Sequence, residues 1–509
     1  MNGAIIGVFL VIIAYLVMML AIGFIYSKGN NDSSDFYLGG RKLGPFVTAM
    51  SAEASDMSSW LLMGLPGVAY LSGTADAAWT AIGLAIGTYV NWLVVAKRLR
   101  NYTHVCGNST TLPLFFSNRY RDNKRILSVI AALLIIIFFV PYTASGFAAC
   151  GKLFANLFGM DYLPAMLISA IVIVAYTTLG GFLAASTTDF VQSIVMTIAI
   201  VVVFGFGISK VGSFSAVMDN AKSMAGYFSL THTHDVATGT ASPYSLLQIF
   251  STLAWGLGYF GMPHVLLRFM AIGDANKLKL SRRVATVWVV ISMAVSVFIG
   301  VIGNAMTKAG VLPTLKDPET IILVVSDLIS KHGVLATIIA GLILAGILAA
   351  TMSTADSQLL AASSSASQNI LKEVFMKDMS EKTGMLIARI TVLVIALIGV
   401  FIARNPDSSV FQIVSFAWAG FGASFGPLVL LALFWKRSTF QGALCGMVSG
   451  GVMVFVWKFL IRPMGGALGI YELLPAFLLG LAVNVIVSLL TPAPSREVQD
   501  EFDKVASMK

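Results

Sequence analysis

Charge is what this sequence lacks most. Only 11% of its 509 residues are Asp, Glu, Lys or Arg, where an ordinary soluble domain has about 25%. A soluble chain of this length would divide into domains and need far more charge to cover them. Cysteine is scarce as well. Cys106, Cys150 and Cys445 are three in number and far apart, which argues against a disulfide framework. The five histidines form no cluster with cysteine inside an apolar segment, so no transition-metal centre is legible there. The first residues, "MNGAIIGVFLVIIAYLVMMLAIGFIY", carry neither a basic leader nor an A-x-A cleavage site, and read as a retained span rather than a signal peptide. The formal charge of +9 is no sign of nucleic acid until its residues are placed relative to a membrane.

What is present in quantity is apolar: 57% of the residues. Runs long enough to cross a bilayer as helix, about 20 residues each, recur from end to end. They predict an all-α polytopic membrane protein with about thirteen spans. The spans fall near residues 4–26, 47–71, 77–96, 127–157, 162–180, 188–209, 246–271, 284–306, 335–365, 385–403, 410–434, 440–460 and 470–490. Connections on one side carry Lys28, Arg41 and Lys42, a run of seven basic residues from Lys97 to Arg125, then Lys277, Lys279, Arg282 and Arg283. Lys372, Lys377, Lys382, Lys436 and Arg437 follow on the same side. The other side has only Lys222, Lys308, Lys316, Lys331, Arg404 and Arg462. The positive-inside rule then puts the N-terminus outside and the polar tail 491–509 in the cytoplasm. The long connection 213–245 falls outside, and its H-T-H at His232 and His234 reads as a solvated loop rather than a metal site.

Two spans are interrupted. The second contains "ASDMSS" and then "GLPG", and Ser, Asp and Gly are poor helix interiors while Pro66 cannot donate a backbone bond. The seventh packs Gly256, Gly258, Gly261 and Pro263 into "WGLGYFGMPH". Each interrupted span opens a set of five, the sequence pointer to an inverted-repeat transporter. The alternative is that the glycines only permit close helix packing. "GLGYFG" also fits G-x-G-x-x-G, but without a preceding strand or a following acidic residue it is no dinucleotide fingerprint.

Carboxylates in such a chain need a reason, because each costs roughly 2.5–3.5 kcal/mol at the bilayer centre on insertion scales. Glu53 and Asp56 lie in the second span, Asp189 at the start of the sixth and Asp356 in the ninth. In the ninth, Ala350, Ser353, Thr354 and Ser357 share one helical face. Two hydroxyls on one turn, with carbonyls from a facing unwound segment, make a small all-oxygen cage suited to a hard monovalent cation. Equally, these side chains could bond their own helix carbonyls.

The residues also resemble a known family. "FYLGGRKLGPFVTAMSAEASDMSSWLLMGLPG" (37–67), "YTASG" (142–146), "YTTLGGFLAASTTDFVQ" (176–192), "WGLGYFGMPHVLLRF" (255–269), "ILAATMSTADSQLL" (347–360), "FAWAGFGASFGP" (416–427) and "WKRSTFQGALCGM" (435–447) are similar to the sodium/solute symporter family, above all to its bacterial sodium/proline branch. The resemblance implies a LeuT-type 5+5 inverted repeat with two broken helices in a single transporter domain. An extra N-terminal span and loop (1–45) would precede the repeats 46–212 and 246–434, and further spans (435–490) and the cytoplasmic tail would follow. It implies residence in the bacterial cytoplasmic membrane, no cofactor, Na+ as coupling ion and L-proline as substrate. The family's sodium site carries over to the carbonyls of Ala54, Met57 and Ala350 and the hydroxyls of Ser353 and Thr354. The substrate pocket carries over to Asp56, Ser58, Trp60, Tyr142, Trp255, Tyr259 and Pro263. In some relatives the sixth-span aspartate helps form an additional sodium site. Asp189, Asp356 and Ser357 are therefore expected to form a second cation site or an exit station, the alternative being that each acid simply hydrogen-bonds a nearby backbone or basic group. Two departures stand out: Glu53 occupies a place where the branch usually has a small residue, and Ser59 replaces a common glycine. They leave open a sibling symporter for another small amino acid or carboxylate. A membrane enzyme is disfavoured, since His264 in the seventh span has no matching nucleophile.

Overall fold

The computed structural model describes residues 3–27, 37–375, 380–405 and 409–508, and they are almost entirely helical. Of the basic residues that set the expected topology, Lys28 and Lys377 lie outside the described residues. Helix α1 (Gly3–Ser27) is apolar throughout and exposes Leu10, Val17, Phe24 and Ile25, as a helix wetted by lipid does.

The first break is sharp. Helix α2 (Pro45–Asp56) ends at Met57, whose φ of −80° and ψ of 72° leave the helical region. The chain resumes in a π turn at Trp60–Gly64 and continues as α3 (Leu65–Ser72). Pro66 lies inside the helical run Trp60–Ser72, where the π turn meets α3, and Leu61 O takes the hydroxyl of Ser296 in place of a backbone donor, so the interruption belongs to residues 57–59. Helices α4 (Thr74–Val90), α5 (Ala96–Val105), α6 (Leu112–Arg119) and α7 (Ile126–Phe158) follow. Helix α8 (Tyr162–Val211) is two helices in one: Gly181, at φ 73° and ψ 177°, turns the chain between 162–180 and 182–211. A side chain there would be strained.

The connection 213–245 is more ordered than its composition suggests. It holds α9 (Phe214–Ser223) and a hairpin of β1 (His232–Asp235) and β2 (Thr240–Pro243), with His232 opposite Pro243. The second broken span is α10 (Leu246–Leu253), a 3-10 segment Ala254–Gly261 and α11 (Pro263–Ala271). Helices α12 (Leu278–Lys308), α13 (Ile321–Ser330), α14 (Val334–Ser364), α15 (Glu381–Ala403), α16 (Val410–Phe434), α17 (Phe440–Val456), α18 (Leu473–Leu490) and α19 (Arg496–Ser507) complete the chain.

Nine helices among the described residues are long and apolar enough to cross a membrane. The thirteen expected segments are all helical, but four fall short of that standard. Segments 47–71 and 246–271 are cut by their breaks, and 162–180 and 385–403 hold shorter apolar helices. At the centre lies α14, every residue of which is buried from 343 to 364, as befits a helix packed on all sides.

The basic connections gather on one side. Arg41 reaches the carbonyls of Met270 and Ser109, while Leu43 and Ile272 bridge the segment before the first broken span to the one after the second. The tail helix α19 docks there, its Glu497 and Glu501 on Arg121, its Asp503 on Lys436, and its Phe502 under Arg98 and Arg119.

Candidate functional site

The two breaks face each other across the centre of the molecule. Tyr259, in the 3-10 segment, donates its hydroxyl to Asp56 Oδ2 at 2.6 Å. Unwinding frees backbone carbonyls, and in a bilayer each one needs a partner. Asp56 O accepts from Tyr142 Oη at 3.1 Å, from Trp60 Nε1 at 3.2 Å and from Ser58 N at 2.9 Å. Leu61 O takes the hydroxyl of Ser296. On the opposite segment, Trp418 Nε1 donates to Trp255 O at 2.8 Å and Asn91 Nδ2 to Tyr259 O at 3.1 Å. The glycines of this segment act by size: a Cβ on Gly258 would fall on the Trp418 indole, and one on Gly256 on the backbone of Gly83 and Gly87.

Because Ser58 N bonds Asp56 O, it is not available to Ala54 O, which turns instead to α14. Ser353 Oγ lies 2.8 Å from Ala54 O and 3.2 Å from Ala350 O, and Thr354 Oγ1 lies 3.1 Å from Ala350 O. The hydroxyls thus bond their own helix, and Ser353 also reaches across to the broken one. Four hard oxygens are thereby linked in a chain of hydrogen bonds, Ala54 O to Ser353 Oγ to Ala350 O to Thr354 Oγ1, and oxygens of this kind suit a hard cation. Met57 stands at the break itself, with its sulfur 3.8 Å from Ser292 Oγ.

Beside this cluster is an aromatic enclosure. Trp60 and Trp255 have ring centroids 6.3 Å apart, and Trp255 also stacks on Tyr471 at 5.0 Å and meets Phe411 at 5.3 Å. Trp418 stands edge-on to Tyr259 at 5.1 Å. Ser58 Oγ accepts from Trp60 N at 3.4 Å, and Pro263 is buried at the first turn of α11. The structure thus joins Asp56, Ser58, Trp60, Tyr142, Trp255 and Tyr259 by direct contacts, with Pro263 at the far end of the 3-10 segment. A cavity of about 1030 Å³ runs from the hairpin side, at Thr233 and Tyr244, down to Trp255. Its wall includes an ion cluster in which buried Lys152 Nζ lies 2.8 Å from buried Glu319 and 2.7 Å from half-buried Asp317. Glu319 in turn receives Val410 N and Phe411 N and so caps α16.

The remaining acids have partners that the sequence reading does not name. Glu53 Oε1 accepts from Trp92 Nε1 at 2.8 Å, while Oε2 is buried without a partner. Asp189 and Asp356 belong to one network whose cation is Arg268 of α11, paired directly with Asp189 and linked to Asp356 through Ser357. Its guanidinium reaches Asp189 Oδ2 at 3.1 Å, Ser357 Oγ at 2.6 Å, Ser51 Oγ at 3.0 Å and His264 O at 3.0 Å. Ser357 Oγ lies 3.2 Å from Asp356 Oδ1, and Ser51 Oγ 2.6 Å from Asp189 Oδ2. One network thereby ties both broken spans to α8 and α14. It leaves Asp189 Oδ1 and Asp356 Oδ2 buried without partners.

A model of the sodium:solute symporter family matches residues 36–450. This chain belongs to that family. The symporter is 41% identical over 483 residues to the osmoregulated proline transporter OpuE of Bacillus subtilis (strain 168), covering 95% of this chain and 94% of the relative. It is 39% identical over 503 residues to a sodium/proline symporter of Staphylococcus aureus, covering 98% and 95%. Its fold is that of a Na+-coupled sialic acid symporter solved in a substrate-bound, outward-open state, with a TM-score of 0.78 at 18% identity over 96% of this chain and 99% of that one. MHP1, a nucleobase-cation-symport-1 family transporter, is a further fold relative at a TM-score of 0.55 and 14% identity, over 92% and 98%. The molecule is a multi-pass membrane transporter and not an enzyme.

Proposed function

We propose that this symporter carries L-proline with Na+ by alternating access. The observation that supports it most is the meeting of α2 and α14, where Ser353 Oγ reaches Ala54 O at 2.8 Å one turn from the aromatic enclosure. Sodium enters among the carbonyls of Ala54, Met57 and Ala350 and the hydroxyls of Ser353 and Thr354, and fixes the broken α2 against α14. Asp56, Ser58, Trp60, Tyr142, Trp255, Tyr259 and Pro263 then enclose the substrate. Aromatic faces pack the pyrrolidine ring, and unwound helix ends take its carboxylate. The names of the two relatives, each alike over nearly the whole chain, favour proline.

In this reading the thirteen spans comprise an extra N-terminal span (1–45), two inverted repeats of five (46–212 and 246–434) and further spans at 435–490, in a bacterial cytoplasmic membrane. The N-terminus faces outward, tail 491–509 faces the cytoplasm, and the 1030 Å³ cavity is the outer vestibule. Asp189, Asp356 and Ser357 form the exit station. Arg268 is a tethered cation that leaving sodium must displace, which makes the station a transfer point rather than a place of stable occupancy. Glu53, buried next to the cage, favours a second reading in which the same machinery carries another small amino acid or carboxylate.

The test is uptake of labelled proline by proteoliposomes with and without a sodium gradient, in competition with other small amino acids and carboxylates. Sodium-dependent proline uptake that only proline analogues inhibit supports the proposal. Sodium-dependent uptake of a different compound in preference to proline replaces it with the second reading.

A further inference from the structure

A second cavity lies away from the transport pathway, on the flank of the molecule. Between the 182–211 half of α8 and helix α12 is an apolar crevice of about 490 Å³, within the roughly 300–1,000 Å³ range of sites that take small molecules. Met50, Ile200, Val201, Val287, Trp288 and Ile291 are among its walls. Val201, Val287 and Ile291 are 52%, 60% and 53% exposed, so the crevice opens sideways where the surrounding medium is lipid. Its polar groups are already engaged. Trp288 Nε1 donates to Thr197 Oγ1 at 2.8 Å, and Ser292 Oγ to Trp288 O at 2.7 Å, so the walls ask an occupant for no hydrogen bond.

One end of the crevice has the opposite character. Arg283 is exposed there and makes no ion pair among the described residues, and Lys277 and Lys279 are exposed on the same end of α12. Unpaired cations at the mouth of an apolar slot complement a ligand with a negative head and a hydrocarbon tail. The inner wall reaches the transport machinery: Met50 belongs to α2, and Ser292 touches the sulfur of Met57 at the first break.

We propose that this crevice is a binding site for an anionic phospholipid, with its headgroup on Arg283 and one acyl chain inserted between α8 and α12 behind α2. The chain backs the half-helix that carries Ala54, so the bound lipid favours the arrangement in which α2 stays against α14. The site shares no residue with the proline pocket or the sodium cage, so it stands whichever solute the symporter carries.

The experiment uses the full chain in nanodiscs of phosphatidylcholine alone or with phosphatidylglycerol, and native mass spectrometry counts the lipids retained on release. The parent is expected to retain one phosphatidylglycerol in preference to phosphatidylcholine. Arg283→Gln is expected to weaken that preference about fivefold, the factor for one basic residue at an anionic surface. Val287→Trp adds bulk at the lipid-exposed rim and is expected to lose the retained lipid whatever its headgroup. Equal retention of phosphatidylglycerol by the parent and both variants overturns the site. Loss in Val287→Trp alone, with the preference intact in Arg283→Gln, overturns the headgroup assignment.

Discussion

Asp56 does two jobs in one residue. Its backbone carbonyl gathers Tyr142 and Trp60, and its carboxylate receives Tyr259 from the facing segment. Asn at this position keeps an acceptor for Tyr259 and removes the charge, so Asp56→Asn is expected to reach the membrane at parental levels and to lose nearly all sodium-driven uptake. Immunoblots of membranes beside uptake rates read both; normal uptake with unchanged sodium dependence excludes a role for the charge. Ser353 supplies one oxygen to the proposed cage. A hydrogen bond or ligand contact to a charged group is worth about 1.5–3 kcal/mol, so Ser353→Ala should raise half-saturating sodium roughly 10- to 150-fold. Linkage passes that loss to proline only at limiting sodium; equal weakening of proline at every sodium concentration would move Ser353 into the substrate pocket. Arg268 is the residue whose importance is least visible along the chain. Breaking a buried pair from one side costs about 3–5 kcal/mol because the other charge is stranded. Arg268→Gln should therefore lower thermal stability sharply, and Asp189→Asn in the same chain should restore part of it. If the double variant is as unstable as the sum of the single ones, the two side chains are not coupled.

The elements that matter most are the ones that fail to be regular. The 3-10 segment Ala254–Gly261 is held open by its neighbours: Trp418 and Asn91 occupy its carbonyls, and α4 approaches closely enough that Gly83, Gly87 and Gly256 meet backbone to backbone. Gly258 admits the Trp418 indole, and a Cβ there would overlap it. Overpacking of this kind costs about 1–3 kcal/mol, and here it would also pull Trp418 off Trp255 O. Gly258→Ala is accordingly expected to lower proline affinity at saturating sodium while leaving sodium binding in the absence of proline intact. Sodium binding measured by calorimetry on the purified variant separates the two, and loss of both would make the segment a general structural element. The first break shows the same logic in reverse. Ser296, Ser353 and Tyr142 come from three different helices to satisfy the carbonyls that flank the break.

At the scale of the whole molecule, the transporter converts one gradient into another. One sodium crossing about 100 mV releases about 2.3 kcal/mol, and a tenfold concentration gradient adds about 1.4 kcal/mol. With Arg268 already paired to Asp189 and bonded to Ser357 beside Asp356, one sodium per cycle is the expected ratio. Accumulation of a neutral amino acid should then plateau at roughly 500-fold under that driving force, the ratio for about 3.7 kcal/mol. A plateau near the square of that value would show that two ions move, and that Asp189 and Asp356 hold the second.

Much of this was written along the chain. The scarcity of charge and the recurrence of apolar runs determine a polytopic helical membrane protein, because a bilayer accepts little else. Glycine and proline inside two of those runs mark the breaks, because local helix propensity is a short-range property. Ser353 and Thr354 fall on one face by periodicity alone. What faces them is a different kind of fact. That Ala54 O turns to Ser353, that Trp418 enters the gap at Gly258, and that Arg268 pairs with Asp189 all depend on helices 79 to 299 residues apart along the chain. The cost of burying charge marks Arg268 in "VLLRFM" as clearly as it marks Asp189, but an arginine near a helix end can also snorkel to water, and sequence does not distinguish the two. Pro66 is passed by a π turn inside the helical run Trp60–Ser72 rather than ending it, because a hydroxyl from another helix, Ser296, serves the carbonyl of Leu61. Sequence determines which groups are too costly to bury alone; only the packed structure decides which partner each of them finds.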